Sequence, residues 1–353
     1  MKVLHAAYMA QFEPGILKQM EDEQEAAQLL NLDWISRLYC PAPGGTSPVL
    51  IPAPEAAGRS KRKRDYYRFL ATAMEDRDIL LLRHTPYEPR EWNLIRQLPK
   101  PVFTMHHTME GPEIRLAGGI VAKLKSILEE ILFKTIAKRI AGVVAVTPEV
   151  ARYECNRGKI ANKPTFIYPN GIRSPAQVLQ SQPSEIPELL FVASCFTPWH
   201  GLDRLIESVS PSREPCCIHL VGTVPPPLLR KLSAEPRFHC HGRLTTKEIQ
   251  TLSTRCVLGL SSLALDRNNM KEACPLKARE YLALGLPVYG NYRESFSPDF
   301  PYYRQGEAKL DAILNFAKEM SSISRQKVYD QSIPQIEKQT FLKQLHNSLL
   351  KVV

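Results

Sequence analysis

Short apolar runs separated by helix-length segments recur along this chain, and that alternation restricts its fold more than any other feature. Asp78-Ile79-Leu80-Leu81-Leu82-Arg83 is continuously apolar rather than alternating, as a parallel strand covered on both faces must be. Val102-Phe103-Thr104-Met105-His106 and Gly142-Val143-Val144-Ala145-Val146-Thr147 have the same character. In the second half, Leu189 to Ala193, Cys217 to Gly222 and Cys256 to Ser262 repeat it, and Phe238 to Leu244 reads as a further strand. Helical patterns fall between them, at about residues 16–30 and 117–140 in the first half. Strand–helix alternation in both halves predicts an α/β chain of two doubly wound, Rossmann-like domains facing across a cleft. The length of 353 residues is too great for one core and sufficient for two. The expected domains cover 1–173 and 188–333. Residues 174–187, rich in Pro, Gln and Ser, form the expected linker.

The formal charge of +10 suits anionic partners: nucleotide diphosphates, lipid phosphates, an acidic membrane face or nucleic acid. Residues 41–60, rich in Pro, Gly, Ala and Ser, read as a loop. Lys61-Arg62-Lys63-Arg64 follows, beside Tyr66, Tyr67 and Phe69. It fits docking on anionic lipid, nucleic-acid binding or a solvated helix start. The eight cysteines include no CxxC pair and read as reduced, mostly buried thiols of a cytoplasmic protein, without zinc. Residue 2 runs straight into a strand, so no signal peptide is expected, and no apolar run is long enough to span a bilayer.

The stretch Met270 to Tyr289, MKEACPLKAREYLALGLPVY, carries the chemistry. Pro275 suits a first helical position. Leu276 to Leu284 has a helix pattern, Gly285 stops it, and Leu286-Pro287-Val288-Tyr289 enters a strand. The free N–H groups of Leu276 and Lys277 would face outward at the positive end of the helix, which suits a phosphate. Glu272 just before the helix could reach a sugar beyond a diphosphate. Glu280, within the helix, could accept from a ribose diol. An ordinary amphipathic helix with both glutamates solvated fits the same spacing.

Glu272-x₇-Glu280 followed by Tyr281-Leu282-Ala283-x-Gly285-x-Pro287-Val288 resembles the donor-binding signature of retaining GT-B glycosyltransferases of glycosyltransferase group 1. The resemblance is to the bacterial enzymes that build capsule, exopolysaccharide or lipopolysaccharide. It implies transfer of a sugar from a UDP- or GDP-linked donor to a hydroxyl of a sugar or lipid-linked saccharide, with retention and without a cofactor or metal. In its terms Glu272 holds the sugar and Glu280 the ribose. Cys274, Pro275, Leu276 and Lys277 surround the diphosphate, and Arg243 and Leu244 meet the base. Gly15 stands where a glycine lets backbone approach the donor phosphates or the acceptor. Thr197-Pro198-Trp199-His200-Gly201 resembles the loop that usually carries an Arg and a Lys-Gly pair on the diphosphate. Here the lysine place holds His200, so the charge has to come from Lys277, Arg267 or Arg279, with Lys277 the first choice. The last helix, within 334–353, is expected to pack back on the first domain.

His106 and His107 end the strand that begins at Val102, where open α/β sheets place ligand groups. A histidine there can bond a sugar hydroxyl or a backbone group. The resemblance favours His107 as the residue facing the donor sugar. Two metal-like patterns are set aside. Asp76-x-Asp78 lies at the wrong end of its strand. His239-x-His241 puts both rings on one face with no third ligand visible in the sequence. Two rivals remain: a non-catalytic nucleotide-binding partner protein, and a nucleic-acid-binding protein, although no nucleic-acid motif accompanies the basic charge. The expected location is the cytoplasm, at the inner face of the plasma membrane.

Overall fold

The computed structural model describes residues 1–41, 47–54, 56–116, 118–175, 177–182 and 184–353. The chain divides into two compact units, Met1–Arg173 with Lys338–Val353, and Ser174–Glu337. The first unit contains β1 (Val3–Tyr8), α1 (Pro14–Leu29), β2 (Trp34–Cys40), β3 (Leu50–Pro52), α2 (Arg59–Ala73), β4 (Ile79–Arg83) and α3 (Pro89–Gln97). It continues with β5 (Val102–His106), α4 (Glu110–Leu116), α5 (Gly119–Ala137), β6 (Gly142–Ala145), α6 (Pro148–Gly158) and β7 (Thr165–Ile167). The seven strands form one parallel sheet in the order β3-β2-β1-β4-β5-β6-β7. Leu4, Leu80, Leu82, Val143, Phe133 and Ile136 build its main core.

The second unit contains β8 (Glu188–Cys195), α7 (Leu202–Val209), β9 (Cys217–Thr223), α8 (Pro226–Leu232), β10 (Phe238–Gly242), α9 (Thr246–Ser253) and β11 (Leu258–Leu260). Then come α10 (Leu276–Ala283), β12 (Val288–Gly290), β13 (Tyr303–Gln305), α11 (Leu310–Met320) and α12 (Arg325–Ile336). Its six parallel strands run β10-β9-β8-β11-β12-β13. In both sheets the order reverses beside the first strand of the unit. Ligands of open α/β sheets sit at that switch point, beyond the carboxyl ends of the strands. The final helix, α13 (Lys338–Leu349), belongs to the first unit. Lys338 donates its N–H to the Ile172 carbonyl at 3.0 Å, and Leu342, Leu345 and Leu349 are buried.

Several sequence expectations are corrected locally. Pro14 and Gly15 are the first turn of α1 rather than a loop. A Cβ at Gly15 would meet nothing within 4 Å, so no close backbone approach demands glycine there within this unit. Residues 50–52 form β3 inside the expected loop, while positions 42–46 and 55 of that loop lie outside the described residues. So do Ala117, where the long helix was expected to start, and positions 176 and 183 of the linker. The long helix is α5, Gly119–Ala137, and a separate short helix, α4, precedes it. Pro334 lies inside α12, and the break before the last helix falls at Glu337. Lys61 to Arg64 belong to α2. Lys63 is buried, its Nζ 2.7 Å from Glu88, so the run is not one solvated patch.

A buried polar cluster ties the first unit together. His84 lies between Glu91 (2.5 Å) and Glu129 (2.9 Å). Arg157 reaches Glu154 at 2.5 Å, Glu129 at 2.6 Å and Glu110 at 3.4 Å. His106 bonds Glu110 at 2.9 Å and Thr104 at 3.0 Å. His106 is thus consumed inside the fold.

Candidate active site

The start of α10 is built by packing beneath it. The Tyr281 hydroxyl accepts the Val192 amide of β8 at 2.7 Å. A Cβ at Gly259 of β11 would meet the Tyr281 ring at 2.4 Å, so the helix sits directly on the sheet. Arg279 is fully buried. It donates to Glu294 at 2.6 Å, Ser295 Oγ at 2.7 Å and the Pro275 carbonyl at 3.3 Å, which fixes the residue before the helix. Gly285 ends the helix at φ 72°, and a Cβ there would lie 2.6 Å from the Arg325 carbonyl oxygen. Pro275 is the N-cap rather than the first helical residue, and no side chain caps that end. The first N–H groups of α10 therefore keep their capacity to donate.

Lys277 stands in that first turn. Its Nζ is buried and makes no hydrogen bond among the described residues. The Phe191 ring centroid lies 5.6 Å from it. Burial pushes its pKa down to about 7, against a smaller opposing pull from Glu280. The other two cations offered by the sequence are spent inside the unit. Arg279 is held as described, and Arg267 grips Asp203 at 2.7 and 2.9 Å.

His200 occupies a short 3₁₀ turn, Pro198–His200, after β8. Thr197 donates its amide N–H to His200 Nδ1 at 3.0 Å. A neutral ring that accepts at Nδ1 carries its proton on Nε2. Burial, aided by the charge of Lys277, drives the His200 pKa down to about 2. His200 therefore supplies an Nε2–H donor and no charge. Gly201 follows at φ 72°, and a Cβ there would come within 2.8 Å of the Leu263 carbonyl carbon. Only glycine satisfies both demands.

Glu272 is buried, and its carboxylate is paired with the Arg293 guanidinium. A short backbone bridge fixes the two: Arg293 donates its N–H to the Lys271 carbonyl at 2.8 Å, and Ala273 to the Arg293 carbonyl at 3.2 Å. Glu280 is exposed on α10. Cys274 is buried with its Sγ 3.5 Å from Ser295 Oγ. Arg243 is exposed and Leu244 half-buried, just past edge strand β10. Nothing in the sequence pattern singled out Arg293. Its signal was an arginine in the turn after the strand that follows α10, legible only once that turn was seen to lie beside Glu272.

In the first unit, a cavity of about 260 Å³ opens at the carboxyl ends of β1, β4 and β5, and His107 lines it with Tyr8, Lys63, Arg83, Tyr87 and Glu113. Burial, then the charge of Arg83, holds His107 well below its ordinary pKa and so neutral. Burial also lowers Arg83 to about 10, which leaves it a cation at neutral pH. Arg83 went unnoticed in the sequence because it read as the end of an apolar strand.

Among the described residues two groups have metal-ligand composition: His106 with Glu110 and Glu154, and Glu188 with Cys217 and His219. The second lies beside His239-x-His241 without including either histidine. His219 stands beside both rings, with centroids 5.6 and 5.1 Å away. Yet Glu188 already bonds His219 at 2.8 Å and Arg255 at 2.9 Å. The first group is likewise bonded to Arg157.

No family model and no curated protein matches this sequence. Solved structures do match along the whole chain. The lipopolysaccharide outer core galactosyltransferase WaaB superposes with a TM-score of 0.67 at 11% identity, over 100% of both chains. The chain has the GT-B fold. Anabaena Alr3699/HepE in complex with UDP-glucose gives 0.64 at 12% identity over 99% of both chains. A UDP-N-acetylglucosamine 2-epimerase gives 0.54 at 12%, over 99% of this chain and 96% of that one. The fold is thus common to sugar transfer and to sugar epimerisation, and the choice between them rests on residues.

Proposed function

We propose that this protein transfers a sugar from a nucleoside-diphosphate sugar to an acceptor hydroxyl, with retention of configuration. The supporting observation is the Lys277 ammonium, buried without a hydrogen-bond partner in the uncapped first turn of α10. A buried cation left unbonded is costly, and a diphosphate supplies the missing acceptor. The α10 N–H groups and the His200 Nε2–H add neutral donors. Glu272, oriented by Arg293, takes the sugar hydroxyls, and Glu280 takes the ribose.

In the proposed step the acceptor oxygen bonds the anomeric carbon on the leaving-group side while the bond to the diphosphate oxygen breaks. The acceptor proton passes to the departing phosphate, whose charge Lys277 offsets. The resemblance gives neutral His107 the donor sugar, and Arg83, a cation in the same cavity, suits an acceptor that bears an anionic group. The reaction requires no metal or cofactor beyond the nucleotide-sugar. Synthesis of a bacterial surface polysaccharide or another glycoconjugate is the role that the resemblance of the 272–288 segment supports.

A panel of UDP, GDP, ADP and CMP in thermal-shift measurements, followed by product analysis with the matching donor sugars, tests this reading. One nucleoside diphosphate at a hundred times its Kd should stabilise by about 2.7 kcal/mol, and Glu280→Ala should abolish the shift. Glu272→Ala should retain nucleotide binding and lose roughly 10²–10³ in turnover. Epimerised free sugar with no acceptor product would assign the site to the other chemistry of this fold. Binding without turnover of any donor would leave a nucleotide-binding partner protein.

A further inference from the structure

Helix α5 (Gly119–Ala137) is apolar on two opposite faces. Ala122, Phe133, Ile136 and Ala137 are buried in the first unit. On the opposite face, Ile120, Val121, Leu124, Ile127, Leu128 and Ile131 point to solvent, from 42% exposed at Leu128 to 76% at Ile120. At 3.6 residues per turn these six side chains span an arc of about 120°. Packing on the sheet accounts only for the inner face.

The charges on the helix are sorted to match. Lys123 and Lys134 lie on one flank of the apolar arc, Lys125 on the other, and Lys138 follows at its end, all exposed. Both acids of α5 are turned away from that arc: Glu129 is buried against His84 and Arg157, and Glu130 accepts from Tyr153 Oη at 3.3 Å. The described exposed positions of α5 thus carry lysine and no carboxylate. A contiguous apolar patch of this kind on a protein surface marks a contact. A lysine-flanked apolar arc on one helix matches an interface helix in an anionic lipid monolayer, with apolar side chains among the acyl chains and ammonium groups at the phosphates. No helix among the described residues is long and apolar enough to cross a membrane, so the contact is with one leaflet.

We infer that α5 docks this protein on an anionic phospholipid surface through Ile120, Leu124, Ile127 and Ile131, with the flanking lysines on the lipid phosphates. The surface lies on α5 rather than at Lys61 to Arg64, where Lys63 is buried and paired.

Co-sedimentation of the full chain with vesicles tests this inference independently of any sugar transfer. Wild-type protein should pellet with phosphatidylglycerol–phosphatidylcholine vesicles, and less as salt rises. The triple variant Leu124→Glu, Ile127→Glu, Ile131→Glu should lose at least about tenfold in partitioning, with circular dichroism unchanged. Replacing the four lysines by glutamine leaves the apolar arc intact and should lose roughly fivefold per lysine, which keeps the test decisive if the triple variant folds poorly. Three outcomes would overturn the inference: no pelleting of wild type with anionic vesicles, equal pelleting of the lysine variant, or a wild-type dimer in analytical ultracentrifugation that the triple variant breaks. The last would assign the face to a second copy of the chain.

Discussion

Lys277→Met should make the ligand-free protein more stable and its nucleotide binding far weaker. The ammonium is buried and unbonded, so an apolar side chain of similar length removes a desolvation penalty. The gain expected is about 1–3 kcal/mol. Its sign follows from the pKa, lowered from 10.5 to about 7. Below about pH 7 both folded and unfolded chains hold the proton, and the penalty is complete. Between 7 and 10.5 the folded chain sheds it, so the gain from methionine fades as pH rises. In the other direction, if Lys277 meets the diphosphate as proposed, loss of its charge should weaken nucleotide binding by about 2–5 kcal/mol. Thermal denaturation with and without UDP or GDP reads both effects on one sample. Lower stability without nucleotide, combined with unchanged affinity, would show that Lys277 is merely a packed stem.

The same lysine makes nucleotide affinity pH-dependent. A diphosphate binds the protonated form, so binding should take up a proton where the free lysine is partly neutral. Affinity should fall as pH rises past about 7, approaching tenfold per pH unit. Titration calorimetry in two buffers of different ionisation enthalpy measures the uptake. His200 cannot contribute it, being neutral until about pH 2.

The fold was legible because a buried parallel strand carries its own signature. The runs Ile79–Arg83 and Val102–His106 fell as strands almost residue for residue. The helix stop at Gly285 was legible too, since a left-handed C′ residue packed on backbone has to be glycine. Charge was harder to read. Lys277 and Arg279 stand two apart in one helix, and only packing shows that Arg279 is neutralised by Glu294 while Lys277 is left unbonded. Arg293, which orients Glu272, and Arg83, which lines the cavity with His107, were invisible for the same reason. Their partners are distant in sequence, and neither lies in a repeating pattern. The outward face of α5 could not be told from a packed one, because hydrophobic periodicity does not say which of two apolar faces meets the sheet.

Arg157→Met should produce the largest loss of stability, confined to the first unit. Arg157 bonds three buried carboxylates, Glu154, Glu129 and Glu110, and stacks 3.7 Å from the Phe133 ring centroid. Removing one partner of a buried ionic cluster costs roughly 3–5 kcal/mol, because the remaining charges stay desolvated. The loss should shrink on acidification from pH 8 to pH 5, as carboxylates that have lost their cation take up protons. His84 and Glu129 set the pH behaviour of the intact cluster. Burial alone would lower the His84 pKa, but Glu91 and Glu129 outweigh it and hold it well above 6.5. Its contribution is therefore complete below 6.5 and fades as pH rises through the folded value. Burial alone would raise Glu129, but His84 outweighs it and holds the pKa at about 2. That contribution is complete above 4.5 and fades as pH falls towards 2. Urea unfolding in a Trp199→Phe background, where the remaining tryptophans, Trp34 and Trp92, both lie in the first unit, follows this unit alone. Nucleotide affinity should survive Arg157→Met, because the side chains proposed to meet the diphosphate, Lys277 and His200, lie in the second unit. A large fall in that affinity would mean that the cluster in the first unit also shapes the nucleotide site.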